Sequence, residues 1–211
     1  FALISFFTFL ITSKYSHKIK DGVLLDNDLV KPQAFHKYAI TRSGGIGTII
    51  CLTTLFSFYY LIYSKVLYDY IFVSYSMFLV GLLDDLKINI KPLKRLLAMV
   101  FSLMIFIYFL PIKILNVDIS FLKFLMESHL FSSIFVLLCF LFVVNGANLI
   151  DGFNGLLTIN FLIINIILTF INLNSANLEF SFFIIGQIII LLIFLLFNFP
   201  YSKIFLGDSG A

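Results

Sequence analysis

One stretch of polar residues lies between almost wholly apolar parts of the chain. Residues 145–156 hold three asparagines, three glycines and the carboxylate of Asp151. A bilayer core cannot hydrate such groups, so they must face protein or water, or lie at the membrane surface. Amide and carboxylate oxygens are hard ligands suited to Mg²⁺, and glycines let a backbone approach a ligand closely. The alternative is a plain Gly/Asn-rich turn that joins two helices.

Further carboxylates follow apolar runs elsewhere. Asp84 and Asp85 close the run 70–83, and Asp208 follows the run 180–199. Adjacent carboxylates raise each other's proton affinity unless a cation neutralises them, so the pair suits a cation site or a general base. The alternative is an ordinary helix end at the water boundary.

Basic residues accompany these acids along the chain. They are Lys37, Arg42, Lys87, Lys91, Lys94 and Arg95. Carboxylates, Mg²⁺ and cationic side chains together fit phosphoryl chemistry, because the cations neutralise phosphate oxygens. Attraction to an anionic membrane leaflet explains the number of basic residues but not their pairing with acids.

The composition is that of an integral membrane protein, with 61% hydrophobic and 12% charged residues. A spanning helix needs about 20 apolar residues. The predicted spans are 1–12, 45–63, 70–83, 96–115, 130–144, 156–171 and 180–199. The first is expected to be the end of a truncated helix, and residues 116–129 could hold a short interfacial helix. We therefore predict an all-α fold: one transmembrane helix bundle over residues 1–211, truncated at both ends, with about seven spans.

The distribution of Lys and Arg predicts the orientation in the membrane. Eleven lie in segments 13–42, 84–95, 145–155 and 200–211, whereas Lys65, Lys113 and Lys123 lie on the other side. The positive-inside rule makes the first set cytoplasmic. All the polar clusters then reach one membrane face, which favours an enzyme that joins a soluble donor to a lipid acceptor.

Four motifs in this order resemble the polyprenyl-phosphate N-acetylhexosamine-1-phosphate transferases. These membrane enzymes of glycosyltransferase family 4 are related to phospho-N-acetylmuramoyl-pentapeptide transferase and undecaprenyl-phosphate GlcNAc-1-phosphate transferase. The motifs are Lys31-Pro-Gln-Ala-Phe-His36 with Arg42-Ser-Gly-Gly45, Gly81-Leu-Leu-Asp-Asp85, the stretch 145–156, and Phe205-Leu-Gly-Asp-Ser-Gly210. The chain departs from the pattern at Asn154, where many members carry Asp.

The resemblance implies a reaction that moves a HexNAc-1-phosphate, GlcNAc-1-phosphate by default, from a UDP-sugar to undecaprenyl phosphate and releases UMP. This would begin a lipid-linked glycan of the cell envelope, such as peptidoglycan or O-antigen, at the cytoplasmic face of the bacterial inner membrane. Mg²⁺ would be the cofactor, with Mn²⁺ as an alternative. UDP-HexNAc, undecaprenyl phosphate and membrane lipids would be the partners. A homodimer remains open, and no nucleic acid is expected.

The resemblance also assigns roles to individual residues. Asn148 and Asp208 would be the metal ligands, and Asp84 the base that deprotonates or orients the lipid phosphate. Asp85 would support Asp84 or the metal, and Asp151 completes the catalytic set. The candidate substrate-binding residues are His36, Lys37, Arg42, Lys91, Arg95 and Asn154.

Two other classes of function stay open. A polytopic transporter would carry ionisable residues in mid-span and similar halves. The spans hold Asn160, Asn165 and Gln187 but no mid-span charge, and the halves show no repeat. An inactive relative that only scaffolds other glycan enzymes is the third reading.

Overall fold

The computed structural model describes residues 1–16, 23–26, 40–86, 91–109 and 119–210. Its helices are α1 (Ala2–Tyr15), α2 (Gly44–Tyr63), α3 (Tyr68–Asp85), α4 (Pro92–Phe109), α5 (Ser120–Met126), α6 (His129–Ile150), α7 (Leu156–Asn174) and α8 (Leu178–Asn198). Helices α2, α4, α6, α7 and α8 are long and apolar enough to cross a membrane, and α1 is apolar but shorter. Helix α3 has 18 residues but includes Asp69, Asp84 and Asp85. The predicted all-α, polytopic membrane fold is confirmed.

Two short strands precede α2 and were not predicted. Strand β1 (Leu25–Asp26) pairs antiparallel with β2 (Ile40–Thr41), with Leu25 opposite Thr41. The Arg42 N–H extends this pairing by donating to the Leu24 carbonyl at 2.8 Å. Main-chain hydrogen bonds therefore fix the approach to α2.

Among the helix boundaries that differ from the prediction, two bear on the polar clusters. Helix α4 begins at Pro92 rather than at residue 96, and proline is well suited to a first helical position. Arg95 therefore lies in the first turn of a helix, not in a loop. Helix α6 continues to Ile150, whereas the predicted span ended at residue 144. The Asn145 side chain donates to the Leu141 carbonyl at 2.7 Å, so the helix satisfies this polar group internally.

The helices pack in two groups. Helices α1, α2, α7 and α8 enclose a core that includes Phe9, Leu55, Phe183 and Phe194, and the rings of Phe9 and Phe194 are 5.5 Å apart. Helices α3, α4 and α6 form the second group, and α3 packs against α2. Many large apolar side chains point outward, as a lipid-facing surface requires; the Phe142 side chain is 77% exposed.

Candidate functional site

The segment after α8 runs along the start of α2. Thr41 and Ile204 form a parallel bridge, and the Phe205 N–H donates to the Thr41 carbonyl at 2.9 Å. The N–H groups of Gly44 and Gly45 donate to the carbonyls of Phe205 and Leu206, each at 2.8 Å. The first N–H groups of a helix have no partner within the helix, so residues 205 and 206 satisfy two of them for α2. This seats the segment that carries Asp208.

Two carboxylates hold the next three residues of that segment. Asp151 Oδ2 accepts the Gly207 N–H at 2.9 Å. Asp85 Oδ1 accepts the Asp208 N–H at 3.0 Å, and Asp85 Oδ2 accepts the Ser209 N–H at 2.9 Å. Asp85 ends α3 and Asp151 directly follows α6, so the ends of these two helices meet at one loop.

Glycines allow this close approach. A Cβ on Gly81 would collide with the backbone carbonyl of Asp208. Gly207 has φ +74°, and a Cβ there would lie 2.8 Å from both oxygens of Asp85. The Gly81 of one motif and the Gly207 of another therefore serve the same contact between α3 and the loop.

The side chains of Asp84 and Asp208 share an arginine. Arg95 Nη1 donates to Asp84 Oδ2, and Arg95 Nη2 lies 3.1 Å from Asp208 Oδ1. Arg42 Nη1 lies 3.5 Å from Asp208 Oδ2. The structure thus joins Asp84, Asp208, Arg42 and Arg95 into one charged cluster, with the side chains of Asp84 and Asp208 30% and 18% exposed.

Burial makes the negative charge at this end of the bundle costly. It raises the pKa of Asp85 to about 6 against the hydrogen bonds from Ser209, and the pKa of Asp151 to about 7 against the N–H of Gly207. Burial also raises the pKa of Asp208, while Arg95 opposes the shift and Asp84 adds to it. All three groups lie beyond the apolar runs of their helices. A cation placed here would reduce the mutual repulsion.

Asn148 offers a buried ligand group in the last turn of α6. Its Oδ1 and Nδ2 are both buried and have no hydrogen-bond partner among the residues that the structure describes. It lies three residues before Asp151, the residue that caps α6, so both lie on the same side of that helix end. Within the described ranges, no group of three or more His, Cys, Asp or Glu side chains gathers to hold a metal. Mg²⁺ typically takes only one or two protein carboxylates together with substrate phosphates, so Asp208 and Asn148 fit it.

A hydrogen-bonded set ties the turn 151–155 to the segment 198–204. Asn198, 2% exposed, accepts the Gly155 N–H at 2.6 Å and donates to the Ile204 carbonyl at 2.8 Å. Asn154 donates to the Pro200 carbonyl at 3.0 Å and accepts from the Ser202 hydroxyl at 2.6 Å. The sequence analysis missed Asn198 and Ser202. The signal for Asn198 was an amide at the end of an apolar run.

The structure brings most, not all, of the predicted site residues together. Asp84, Asp85, Asp151, Asp208, Arg42 and Arg95 join through the contacts above, and Asn148 and Asn154 lie on the α6 end and the turn that follows it. The side chain of Lys91 is exposed at the start of α4, where its carbonyl accepts the Arg95 N–H at 3.2 Å. His36 and Lys37 lie outside the described residues.

With this geometry established, the comparison with known families is decisive. The sequence profile described as "Glycosyl transferase family 4" matches residues 67–211. The chain belongs to glycosyl transferase family 4. The matched range contains the ends of α3 and α6 and the loop that carries Asp208.

Individual relatives match either most of the chain or a shorter part of it. The phospho-N-acetylmuramoyl-pentapeptide-transferase of Clostridium perfringens is 28% identical over 207 residues, which cover 92% of this chain and 64% of that protein. The same enzyme of Leuconostoc mesenteroides is 45% identical over 67 residues, or 32% of this chain and 21% of that protein. The undecaprenyl-phosphate alpha-N-acetylglucosaminyl 1-phosphate transferase of Thermotoga maritima is 28% identical over 210 residues, 100% of this chain and 59% of that protein. The chain thus spans less than two thirds of the length of the C. perfringens relative.

The contact at Gly81 yields a prediction about stability. Gly81→Ala should lower the unfolding temperature of the detergent-solubilised protein, because overpacking against a backbone carbonyl costs about 1–3 kcal/mol. Gly146→Ala is the matched control, since a Cβ there would meet no atom of the described residues within 4 Å. It should stabilise the protein slightly, because Gly in a helix is less favourable than Ala by up to about 1 kcal/mol. Equal unfolding temperatures for the two variants would contradict the packing described here.

The amide of Asn154 yields a second prediction. Asn154→Asp should destabilise the protein by about 0.5–1.5 kcal/mol, since a carboxylate cannot donate to the Pro200 carbonyl. Asn177→Asp is the control: Asn177 accepts the Phe180 N–H at the start of α8, and Asp caps a helix equally well. Thermal unfolding in detergent measures both variants. A loss at residue 177 equal to that at residue 154 would show that added charge, and not the lost donor, is responsible.

Proposed function

We propose that the protein carrying this chain transfers a HexNAc-1-phosphate, GlcNAc-1-phosphate by default, from a UDP-sugar to undecaprenyl phosphate and releases UMP. The observation that carries the proposal is the cluster of Asp84, Asp208, Arg42 and Arg95 at one end of an apolar bundle. Such a cluster can serve a charged, soluble donor and a lipid acceptor at once. The names of the relatives, which include an undecaprenyl-phosphate sugar-1-phosphate transferase, support the same reaction.

The residues of the cluster suit direct transfer between two phosphates. An oxygen of the lipid phosphate would attack the donor phosphorus that bears the sugar, and the bond from that phosphorus to the oxygen of UMP would break. Asp84 would orient the attacking phosphate and take its proton where it carries one. Arg42 and Arg95 would neutralise phosphate oxygens. Positioning and charge neutralisation then supply most of the catalysis.

Asp208 and Asn148 would hold a divalent cation beside the donor diphosphate. Bound there, Mg²⁺ would neutralise the diphosphate oxygens and stabilise the departing UMP. His36, Lys37, Lys91 and Asn154 would contact the nucleotide-sugar or its phosphates. The excess of Lys and Arg on the segments at this end supports a cytoplasmic site. The names and organisms of the relatives support a bacterial plasma membrane and the first step of a lipid-linked envelope glycan.

UMP release tests the proposed reaction. Membranes carrying the protein should release UMP from UDP-GlcNAc only when undecaprenyl phosphate and Mg²⁺ are both present, and EDTA should stop the release. Release with another UDP-HexNAc would keep the reaction class and change the sugar. If well-expressed protein released no UMP from any UDP-sugar, the proposed enzyme activity would be wrong, and a scaffold or a transporter would be favoured.

Asp208→Asn sharpens this test. It should lower UMP release by about 10²–10³-fold, the usual loss when one preorganised electrostatic group is removed. Lys65→Gln is the control, because the Lys65–Glu179 pair is exposed at the other end of the bundle, and such pairs contribute little. A scaffold would show no difference between the two variants at equal protein level.

A further inference from the structure

The loop 207–209 presents three successive backbone N–H groups, and all three donate to carboxylates of the protein itself. Gly207 donates to Asp151, and Asp208 and Ser209 donate to the two oxygens of Asp85. Successive N–H groups of this kind commonly bind a phosphate or another anion. Here the protein's own carboxylates already occupy that position.

We infer that Asp85 and Asp151 are positioning residues, which fix the loop that carries Asp208 and do not themselves contact substrate. The inference rests on the proposed function, and it divides the predicted catalytic set into two kinds. Asp84 remains the acid that meets the lipid phosphate. Asp85 and Asp151 act through the backbone of residues 207–209.

Burial and hydrogen-bond use separate the two kinds of acid. Asp85 is 2% exposed and Asp151 8% exposed. Both oxygens of Asp85 accept backbone N–H groups, as does Oδ2 of Asp151. The Asp84 side chain is 30% exposed and meets a guanidinium that it shares with Asp208. Of the four acids, Asp84 and Asp208 are therefore the two that are placed to reach a phosphate.

The loop needs such anchors because packing does not hold it on every side. A cavity of about 170 Å³ lies between α2, α3, α4 and α6, and Asp208, Ser209 and Gly210 form part of its wall. On that side the loop has room to move. The bonds from Asp85 and Asp151 oppose such movement, and the space left by Gly81 lets α3 bring Asp85 close enough to make them.

The chemistry of Asp and Asn gives a test that distinguishes positioning from catalysis. An amide keeps one acceptor oxygen, so Asp151→Asn can still accept the Gly207 N–H, whereas Asp85→Asn can accept only one of its two N–H groups. We expect Asp151→Asn to keep Mn²⁺ affinity close to wild type, because the Gly207 N–H keeps its acceptor. Asp85→Asn should weaken Mn²⁺ binding about tenfold, the size of one lost hydrogen bond to a charged group. Mn²⁺ binding is measured by electron paramagnetic resonance on purified protein without substrate.

Hydrogen–deuterium exchange supplies a readout that needs neither metal nor activity. In Asp85→Asn, the peptide that covers residues 207–209 should exchange faster, and in Asp151→Asn it should match wild type. Asp151→Leu, which leaves Gly207 without an acceptor, should exchange faster as well. Even if Asp85→Asn does not fold, comparing Asp151→Asn with Asp151→Leu shows whether the carboxylate at residue 151 positions the loop.

Catalytic roles for these acids would give a different pattern. Both Asn variants would lose about 10²–10⁴-fold in kcat, as when a general base is removed. Their Mn²⁺ affinity and the exchange of residues 207–209 would stay at wild-type values. That pattern would overturn the inference. If wild type transfers no sugar phosphate but the exchange order holds, the proposed function fails and the positioning role of the two acids stands.

Discussion

The need to satisfy every buried backbone polar group governs this end of the bundle. Apolar helices supply few partners for a loop that enters between them, and an unpaired N–H or C=O in such a place is costly. Each residue from 204 to 209 hydrogen bonds to another element: to Asn198, to residues 41–45, or to the carboxylates that end α3 and follow α6. Separate parts of the chain are thereby fixed to one segment, and Asp208 is placed by all of them together.

The same arrangement concentrates negative charge. Asp84, Asp85, Asp151 and Asp208 meet in a partly buried region in which Arg42 and Arg95 supply the ion pairs to Asp208 and Asp84. Hydrogen bonds from backbone N–H groups partly stabilise the charged forms of Asp85 and Asp151, yet burial still raises the pKa of both. An added cation would lower the repulsion in this region, and the buried oxygen of Asn148, without a partner among the described residues, is the ligand proposed for one. A metal bound here, as proposed, would owe its affinity to this charge pattern rather than to a cage of acids, since no group of three or more His, Cys, Asp or Glu gathers among the described residues.

Much of this arrangement could be predicted from the sequence. The apolar runs predicted the helices, and the distribution of Lys and Arg predicted that the polar clusters lie at one end of the bundle. The end of α6 and the start of α4 were wrong, because local hydrogen bonding let α6 run on through Asn145 and because Pro92 began α4 early. Hydropathy cannot detect either effect.

The division of labour among the acids could not be predicted. Asp84 and Asp85 are neighbours of identical type, and only the three-dimensional path of the loop decides which one turns toward its backbone. Asn198 was missed for a similar reason. It ends an apolar run, and its partners, Gly155 and Ile204, are brought to it by the fold. Spacing along a chain predicts which residues gather, but it does not say which atoms of those residues are already engaged.

Asn154 shows how local hydrogen bonding explains a departure from a family pattern. The resemblance seen in the sequence leads one to expect an acid at this position, but here one end of the side chain donates to the Pro200 carbonyl while the other accepts from Ser202. An amide can do both, whereas an ionised carboxylate can only accept. Asp would also add negative charge to a turn that already contains Asp151, whose pKa burial has raised. The amide is therefore the residue type that ties the turn to the following segment without adding to the repulsion, and this tie helps to keep Asp151 within reach of Gly207.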